Sequence, residues 1–263
     1  MNSYGVDVKS LSVEYVRGAR ALRDVTLSVK EGEFLAVVGP SGCGKTTLLN
    51  CVAGLLDGGE AKLSGEITIG HQMVLCDGTT SKAREIGYLF DDDALLPWYD
   101  VAQNIALPLR LRGASPESVR NRVAELLKLV QLDGQADCYP QHLSAGMRRR
   151  VSLVRTLAYQ PRLILMDEPF GSLDVQTKIE METEMLRLWR SEETTILLVT
   201  HDIAEAVTLG DRILVFSGSP GSIIAEVQVV LPKERDPVTL RASAEFNAIC
   251  QRLWGLLGNA KRG

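Results

Sequence analysis

The stretch Gly39-Pro40-Ser41-Gly42-Cys43-Gly44-Lys45-Thr46-Thr47 decides how the rest of the chain is read. It fits the pattern G-x-x-x-x-G-K-[ST], a loop whose backbone N–H groups wrap the phosphates of a nucleotide. Glycine is needed where such a loop turns through positive φ and brings the main chain close to phosphate oxygens. In this pattern Lys45 supplies a positive point charge to the β- and γ-phosphates, and the Thr46 hydroxyl ligates Mg2+. The flanks agree. Upstream, Phe34-Leu35-Ala36-Val37-Val38 is continuously apolar, as in a parallel strand buried on both faces. Downstream, Thr46 to Ala53 reads as a helix whose N-terminal dipole faces the anion.

Composition sets the outer limits. With 263 residues, 45% of them hydrophobic and 24% charged, the chain can bury a substantial core as one large domain or two small ones. A net charge of -4 offers nucleic acid no bulk attraction, so no nucleic-acid partner is expected. Five scattered cysteines without a C-x-x-C pair indicate neither a zinc site nor a disulfide framework, and a reducing compartment is expected. Met1-Asn2-Ser3-Tyr4 lacks a basic segment followed by an apolar one, so no secretory signal is expected. No apolar run approaches the ~20 residues that span a bilayer. If a membrane is involved, another chain must cross it.

The order of patterns implies an α/β sheet core with an inserted helical part. Val6 to Val29 alternates around a turn at Arg17-Gly18 and suits antiparallel strands. Ser64 to Leu75 reads as two short strands with turns at Gly65 and Gly70. From Ala94 to about Gln160 the pattern is helical. Ser115-Pro116-Glu117 marks a helix start, and Val119, Val123, Leu126, Leu127 and Val130 then share a face. Apolar runs return at Leu163–Met166 and Thr195–Val199, separated by a helix over Val175 to Arg190. The tail is expected to form one helix from Thr239 to Leu257, with Leu240, Phe246, Ile249, Leu253 and Leu257 near one face. The expected division is 1–232 for the domain that carries this loop, with its helical subdomain at about 94–160, and 233–263 for the tail.

A pair of carboxylates stands where a phosphate-loop enzyme needs them. The run Leu163–Met166 ends in Asp167-Glu168-Pro169, at the C-terminal tip of a parallel strand where open α/β sheets bind ligands. Asp167 is placed to hold Mg2+ through water, and Glu168 to polarise an attacking water. His201 follows the strand Thr195–Thr200 in the same way and is a candidate contact to the γ-phosphate. Cys43, near a helix N-terminus and Lys45, is expected to favour the thiolate. The run Arg148–Arg150 reads as an exposed, partly salt-bridged helix face.

Leu143-Ser144-Ala145-Gly146-Met147, taken with these motifs and Gly171-Ser172-Leu173-Asp174, resembles the signature helix of ABC-type ATPases, usually Leu-Ser-Gly-Gly-Gln. The resemblance runs over nearly the whole chain. Leu95-Leu96-Pro97-Trp98, Thr200 to Val207 and Ser217-Gly218-Ser219-Pro220-Gly221 are similar to the ATP-binding subunits of nitrate/sulfonate/taurine-type importers. The resemblance implies ATP and Mg2+ as cofactors, with residues 39–47 around the phosphates and Lys45, Glu168 and His201 in catalysis. It implies Thr46, Asp167 and Asp91 at the metal. Tyr15 stands where an aromatic stacks on adenine, although a strand-packing role suits it equally. Ser144 and Gly146 would meet the γ-phosphate bound by a second copy of the chain, with Asp174 at the dimer seam.

The implied partners are that second copy, a membrane permease and, indirectly, a periplasmic or extracellular solute-binding protein. The implied place is the cytoplasmic face of the cell membrane. The implied function is the ATP-hydrolysing motor of a bacterial importer for a small anionic solute. Leu96 and Trp98 lie where the family receives the permease, and Leu96 is expected to pack internally. Two positions depart from the family pattern. Asp91 replaces the Gln that senses Mg2+, unless it is only part of a solvated acidic turn, and Ala145 replaces a signature glycine. They leave open a weakly hydrolysing regulatory subunit. A non-transport ABC ATPase is the other alternative.

Overall fold

Five-residue strands that are buried at every position form the centre of the molecule. The computed structural model describes residues 5–260 apart from 77, 84, 172, 193 and 233. Ser172 of the Gly171–Asp174 motif therefore lies outside the described residues. The chain begins with β1 (Val6–Tyr15), β2 (Arg20–Val29) and β3 (Phe34–Val38), followed by α1 (Lys45–Ala53). Next come β4 (Ala61–Ile69), β5 (Gln72–Cys76), β6 (Thr79–Thr80) and β7 (Ile86–Leu89). Helices α2 (Val101–Leu111), α3 (Pro116–Leu129) and α4 (Ala145–Leu157) form the insertion. The alternating part resumes with β8 (Leu163–Asp167), α5 (Val175–Glu192), β9 (Thr195–Thr200), α6 (Ile203–Leu209) and β10 (Arg212–Phe216). Last are β11 (Ile223–Gln228), α7 (Pro237–Arg241) and α8 (Ala244–Ala260).

Two sheets enclose α1. One is antiparallel, in the order β2-β1-β4-β5-β6; the other runs β11-β10-β3-β9-β8-β7. In the second sheet β10, β3, β9, β8 and β7 are parallel, and β11 closes one edge antiparallel. Side chains alternate between its two faces. Leu35, Val37, Leu165 and Val199 pack toward α1 and the antiparallel sheet, whereas Ala36, Val38, Met166 and Leu198 pack toward α5, α6 and α8. Burial on both faces explains why these strands read as unbroken apolar runs. A third apolar cluster, containing Val101, Ile105, Leu126 and Val154, belongs to α2, α3 and α4.

Two local readings change. Gly65 is not a turn; it lies inside β4 at φ +100°, opposite a break in the pairing register between Lys9 and Ser12 of β1. A Cβ there would sit 2.5 Å from the Lys9 carbonyl oxygen and 2.7 Å from that of Ser10, so a glycine bulge curls the sheet at this point. The tail is two helices rather than one. The hydroxyl of Ser243 accepts from the Phe246 N–H at 3.2 Å and starts α8 afresh after α7. Leu240, Phe246 and Leu253 are buried as expected, with Ile249 and Leu257 packed beside them.

Behind the parallel sheet, α5, α6 and α7 share a buried ionic group. Lys178 donates to Asp202 (2.7 Å) and Glu205 (2.9 Å), and Arg241 donates to both oxygens of Glu182 (2.8 and 2.7 Å). Burial pushes the carboxyls of Glu182 and Glu205 each up to about 7, against the opposing pull of Arg241 and Lys178. A carboxyl raised in the folded state binds more protons there than in the unfolded chain. Its contribution to stability is therefore complete below the unfolded value of 4.5 and is lost as pH rises through about 7. Glu205→Gln is expected to flatten this decline by roughly 3–4 kcal/mol between its ends. Denaturant unfolding across a pH series is the measurement; an unchanged slope would remove Glu205 as a source.

Candidate nucleotide site

The tips of β3, β9, β8 and β7 lie side by side in that order and deliver the chemically marked residues to one edge of the sheet. Chain passing from β3 into α1 forms the loop 39–44, with Gly42 and Gly44 at φ +75° and +96°. Ser41 and Gly42 are exposed on it, and Thr46 is exposed in the first turn of α1. Lys45 is buried, and its ammonium donates to the carbonyls of Gly39 (2.9 Å) and Pro40 (3.0 Å). The lysine is thus held inside the loop by neutral oxygens that a phosphate can replace. Cys43 corrects the sequence reading. Its thiol is buried in the core beside Gly39, and that burial raises it more than Lys45 and backbone N–H groups lower it. It packs as a small apolar side chain.

Asp167 ends β8 and is buried. Desolvation raises its carboxyl, a hydrogen bond from the Thr46 hydroxyl lowers it, Glu168 and Asp91 raise it further, and Lys45 lowers it. The structure therefore brings Thr46, Asp167, Asp91 and Lys45 into one electrostatic group. Glu168 follows at φ +47°, an uncommon conformation for a side chain of this size. Its backbone N–H donates to the Val199 carbonyl on β9 (3.0 Å), and its Oε2 lies 2.5 Å from Nδ1 of His201. An ionised carboxylate only accepts, so Nδ1 carries the proton and Nε2 remains for another partner. Across the loop, the Tyr15 hydroxyl and the Thr47 hydroxyl are 3.1 Å apart, which sets the ring beside the start of α1.

The arginine run is the main departure from the sequence reading. Arg149 is 1% exposed, the largest fully buried side chain among the described residues, and not part of a solvated face. Consecutive helical residues point about 100° apart, so three arginines in a row cannot all face water on a packed helix. Arg148 pairs with Asp93 at 3.0 Å and Arg150 with Glu180 at 3.0 Å. Arg155, one helical repeat further on, donates to the carbonyls of Ala94 (2.7 Å) and Asp93 (3.3 Å). Asn104 is a second missed residue. It is buried, accepts from the Leu96 N–H at 2.9 Å, and donates to the carbonyls of Leu96, Tyr99 and Asp100. That clamp half-buries Leu96 and leaves Trp98 66% exposed.

Ser144 caps α4, accepting from the Met147 N–H at 3.2 Å, and is exposed. Ala145 is the first residue of α4 and is not among the described positive-φ residues, so its methyl carries no backbone penalty. Gly146 faces Thr177 and Leu173, and Asp174 accepts from Thr177 through both carboxylate oxygens (3.0 and 2.7 Å). Those hydrogen bonds hold the Asp174 carboxyl below the usual range. Among the described residues, no hydrogen bond links Ser144, Gly146 or Asp174 to the phosphate loop. They form a separate, outward-facing group.

Residues 22–171, more than half of the chain, match the family model described as ABC transporter. The chain belongs to that family. An aliphatic sulfonates import ATP-binding protein of Bacillus subtilis is 38% identical, over 92% of this chain and 88% of its own length. A taurine import ATP-binding protein of Yersinia pestis is 41% identical, over 85% of this chain and 84% of its own. Among solved structures, a dimeric ATP-binding cassette in a post-hydrolysis state bound to ADP and Pi matches with a TM-score of 0.75. It is 32% identical and covers 86% of this chain and 100% of its own. In this ABC cassette, none of the described helices is long and apolar enough to cross a membrane.

Proposed function

We propose that this chain is the ATP-hydrolysing motor of an importer whose cargo is a small anionic solute of the nitrate, sulfonate or taurine class. One observation carries the catalytic part: the phosphate loop and the Glu168–His201 pair occupy neighbouring strand tips, with Asp167 at the end of β8 facing Thr46. The names of the sulfonate and taurine relatives support the solute class.

On this reading, backbone N–H groups of residues 41–47 bind the β- and γ-phosphates, and Lys45 exchanges its carbonyl partners for phosphate oxygens. Tyr15 stacks on the adenine. Thr46, Asp167 and Asp91 offer only hard oxygen donors, too few to cage a metal alone, which suits Mg2+ shared with the nucleotide's phosphates. When bound, Mg2+ neutralises charge on the phosphates. Glu168 accepts a proton from the attacking water, while His201, oriented through Nδ1–H, donates from Nε2–H to a γ-phosphate oxygen in its doubly protonated form, the only form in which both ring nitrogens donate. Ser144, Gly146 and Asp174 complete the site of a second copy of the chain.

The remaining partners are a permease, met around the exposed Trp98, and through it a solute-binding protein. The assembly places the motor peripherally at the inner face of a cell membrane. The test is ATP hydrolysis by the purified chain, with and without its permease. Activity is expected to require Mg2+, to rise in specific rate with protein concentration, and to increase when permease and loaded binding protein are added. Absence of hydrolysis in the assembled complex would overturn the reading. A low rate that the permease leaves unchanged would indicate a regulatory subunit instead.

A further inference from the structure

A buried guanidinium is costly unless its donors are satisfied, and Arg149 satisfies them with main-chain oxygen alone. Nε donates to the Pro169 carbonyl at 2.5 Å. Nη1 donates to the carbonyls of Phe90 (2.5 Å), Asp91 (3.1 Å) and Asp92 (3.4 Å). Nη2 reaches those of Asp167 (3.4 Å) and Glu168 (3.2 Å). One planar group thus spans two segments, the loop leaving β7 and the tip of β8 with the turn after it. These two segments carry Asp91, and Asp167 with Glu168. The carboxylates of Asp91, Asp92, Asp93 and Glu205 surround the same guanidinium electrostatically.

We infer that Arg149 is a positioning residue for ATP hydrolysis: its guanidinium fastens the Phe90–Asp92 loop to the Asp167–Pro169 tip and offsets the charge of Asp91. The inference rests on the ATPase reading above. Its physical content has two parts. First, Glu168 sits at positive φ, so its direction depends on what holds the flanking carbonyls, and Arg149 holds those of residues 167, 168 and 169. Second, the fixed positive charge behind the loop lets an extra carboxylate at position 91 stand near Asp167 without driving the loop away from the sheet edge. A lysine cannot reproduce this, because a single ammonium lacks the planar fork of five donors that spans both segments.

The experiment uses the full chain with Arg149→Lys, Arg149→Gln, Asp91→Gln and the double variant Asp91→Gln/Arg149→Gln. For each, nucleotide affinity, kcat, KM and the Mg2+ dependence of kcat are measured per folded molecule. For Arg149→Lys and Arg149→Gln, affinity for ATP without metal is expected to stay within about twofold of the parent, because the phosphate loop makes no bond to Arg149. For Arg149→Lys and Arg149→Gln, kcat is expected to fall by about tenfold to a hundredfold, with the Mg2+ requirement shifted to higher concentration. The double variant is expected to recover part of that loss, because removing the Asp91 charge removes what Arg149 offsets.

A role confined to stability predicts lower melting temperatures with parental kcat and Mg2+ dependence, and that result overturns the inference. Strict additivity in the double variant overturns the charge-balancing part. If Arg149→Gln does not fold, Arg149→Lys carries the same comparison, since it keeps the buried charge and loses only the fork. Absence of hydrolysis in the parent protein would instead strike the ATPase reading itself.

Discussion

Glu168→Gln is expected to lower ATP turnover by a factor on the order of 10² to 10⁴ while leaving ATP affinity within about threefold. The substitution keeps the volume, the backbone conformation and an oxygen that can accept from Nδ1 of His201 at the 2.5 Å contact. It removes the only property an amide cannot supply, the capacity to take a proton from water. The phosphate loop, with Lys45 and the N-terminus of α1, is untouched, so binding and the ATP-dependent pairing of two copies persist without discharge. Nucleotide titration, single-turnover hydrolysis and gel filtration in the presence of ATP measure the three parts separately. A variant that turns over at close to the parental rate would take Glu168 out of its assigned role.

Gly44→Ala is expected to act on binding instead. Gly44 stands at φ +96° and caps α1, and a Cβ placed on it would lie 2.5 Å from the Ala21 carbonyl oxygen and 2.8 Å from Cδ2 of Leu22. Neither neighbour can withdraw easily, because the first is backbone of β2 and the second is fully buried. Left-handed strain and the clash together are expected to cost about 2–4 kcal/mol of stability. Relief comes only by moving the loop away from the antiparallel sheet, which misaligns the N–H groups that face phosphate. ATP affinity is then expected to fall by at least about a hundredfold, the equivalent of roughly 3 kcal/mol. Thermal unfolding and nucleotide titration of the same preparation give both quantities, and an alanine variant with parental affinity would contradict the role of residues 42–44 in the cradle.

The sequence discloses those parts of the fold whose physics is local. The phosphate loop depends on residue types at fixed spacing, and the buried parallel strands depend on unbroken apolar runs, so both are legible without a partner element. The acidic pair is legible because it ends such a strand. What stays hidden is set by packing between distant segments. Arg149 looks like surface because its five donors find carbonyls more than fifty residues upstream and about twenty downstream, in loops with no pattern of their own. Cys43 looks reactive from its neighbours in sequence, but the thiol is buried in the core beside Gly39. Gly65 looks like a turn because an isolated glycine carries the same signal in a turn and in a bulge. The break at Ser243 is hidden because the apolar face continues across it in the sequence.

Helix α4 joins two kinds of chemistry on one rod. Its 13 residues extend over about 20 Å, and Arg149 stands about 7.5 Å along the axis from the capping Ser144. At one end lies the exposed N-terminus assigned to the nucleotide of a second copy; a turn and a half further on lies the grip on this copy's own strand tips. A helix is stiff over such a length, so a tilt taken up at Ser144 is delivered at Arg149 rather than absorbed between them. Arrival of one copy's γ-phosphate at its neighbour's helix would then reset the geometry around that neighbour's own Glu168. On that assignment, two such rods related by symmetry would make the pair of sites mutual sensors, each reporting its occupancy to the other without any element dedicated to the message.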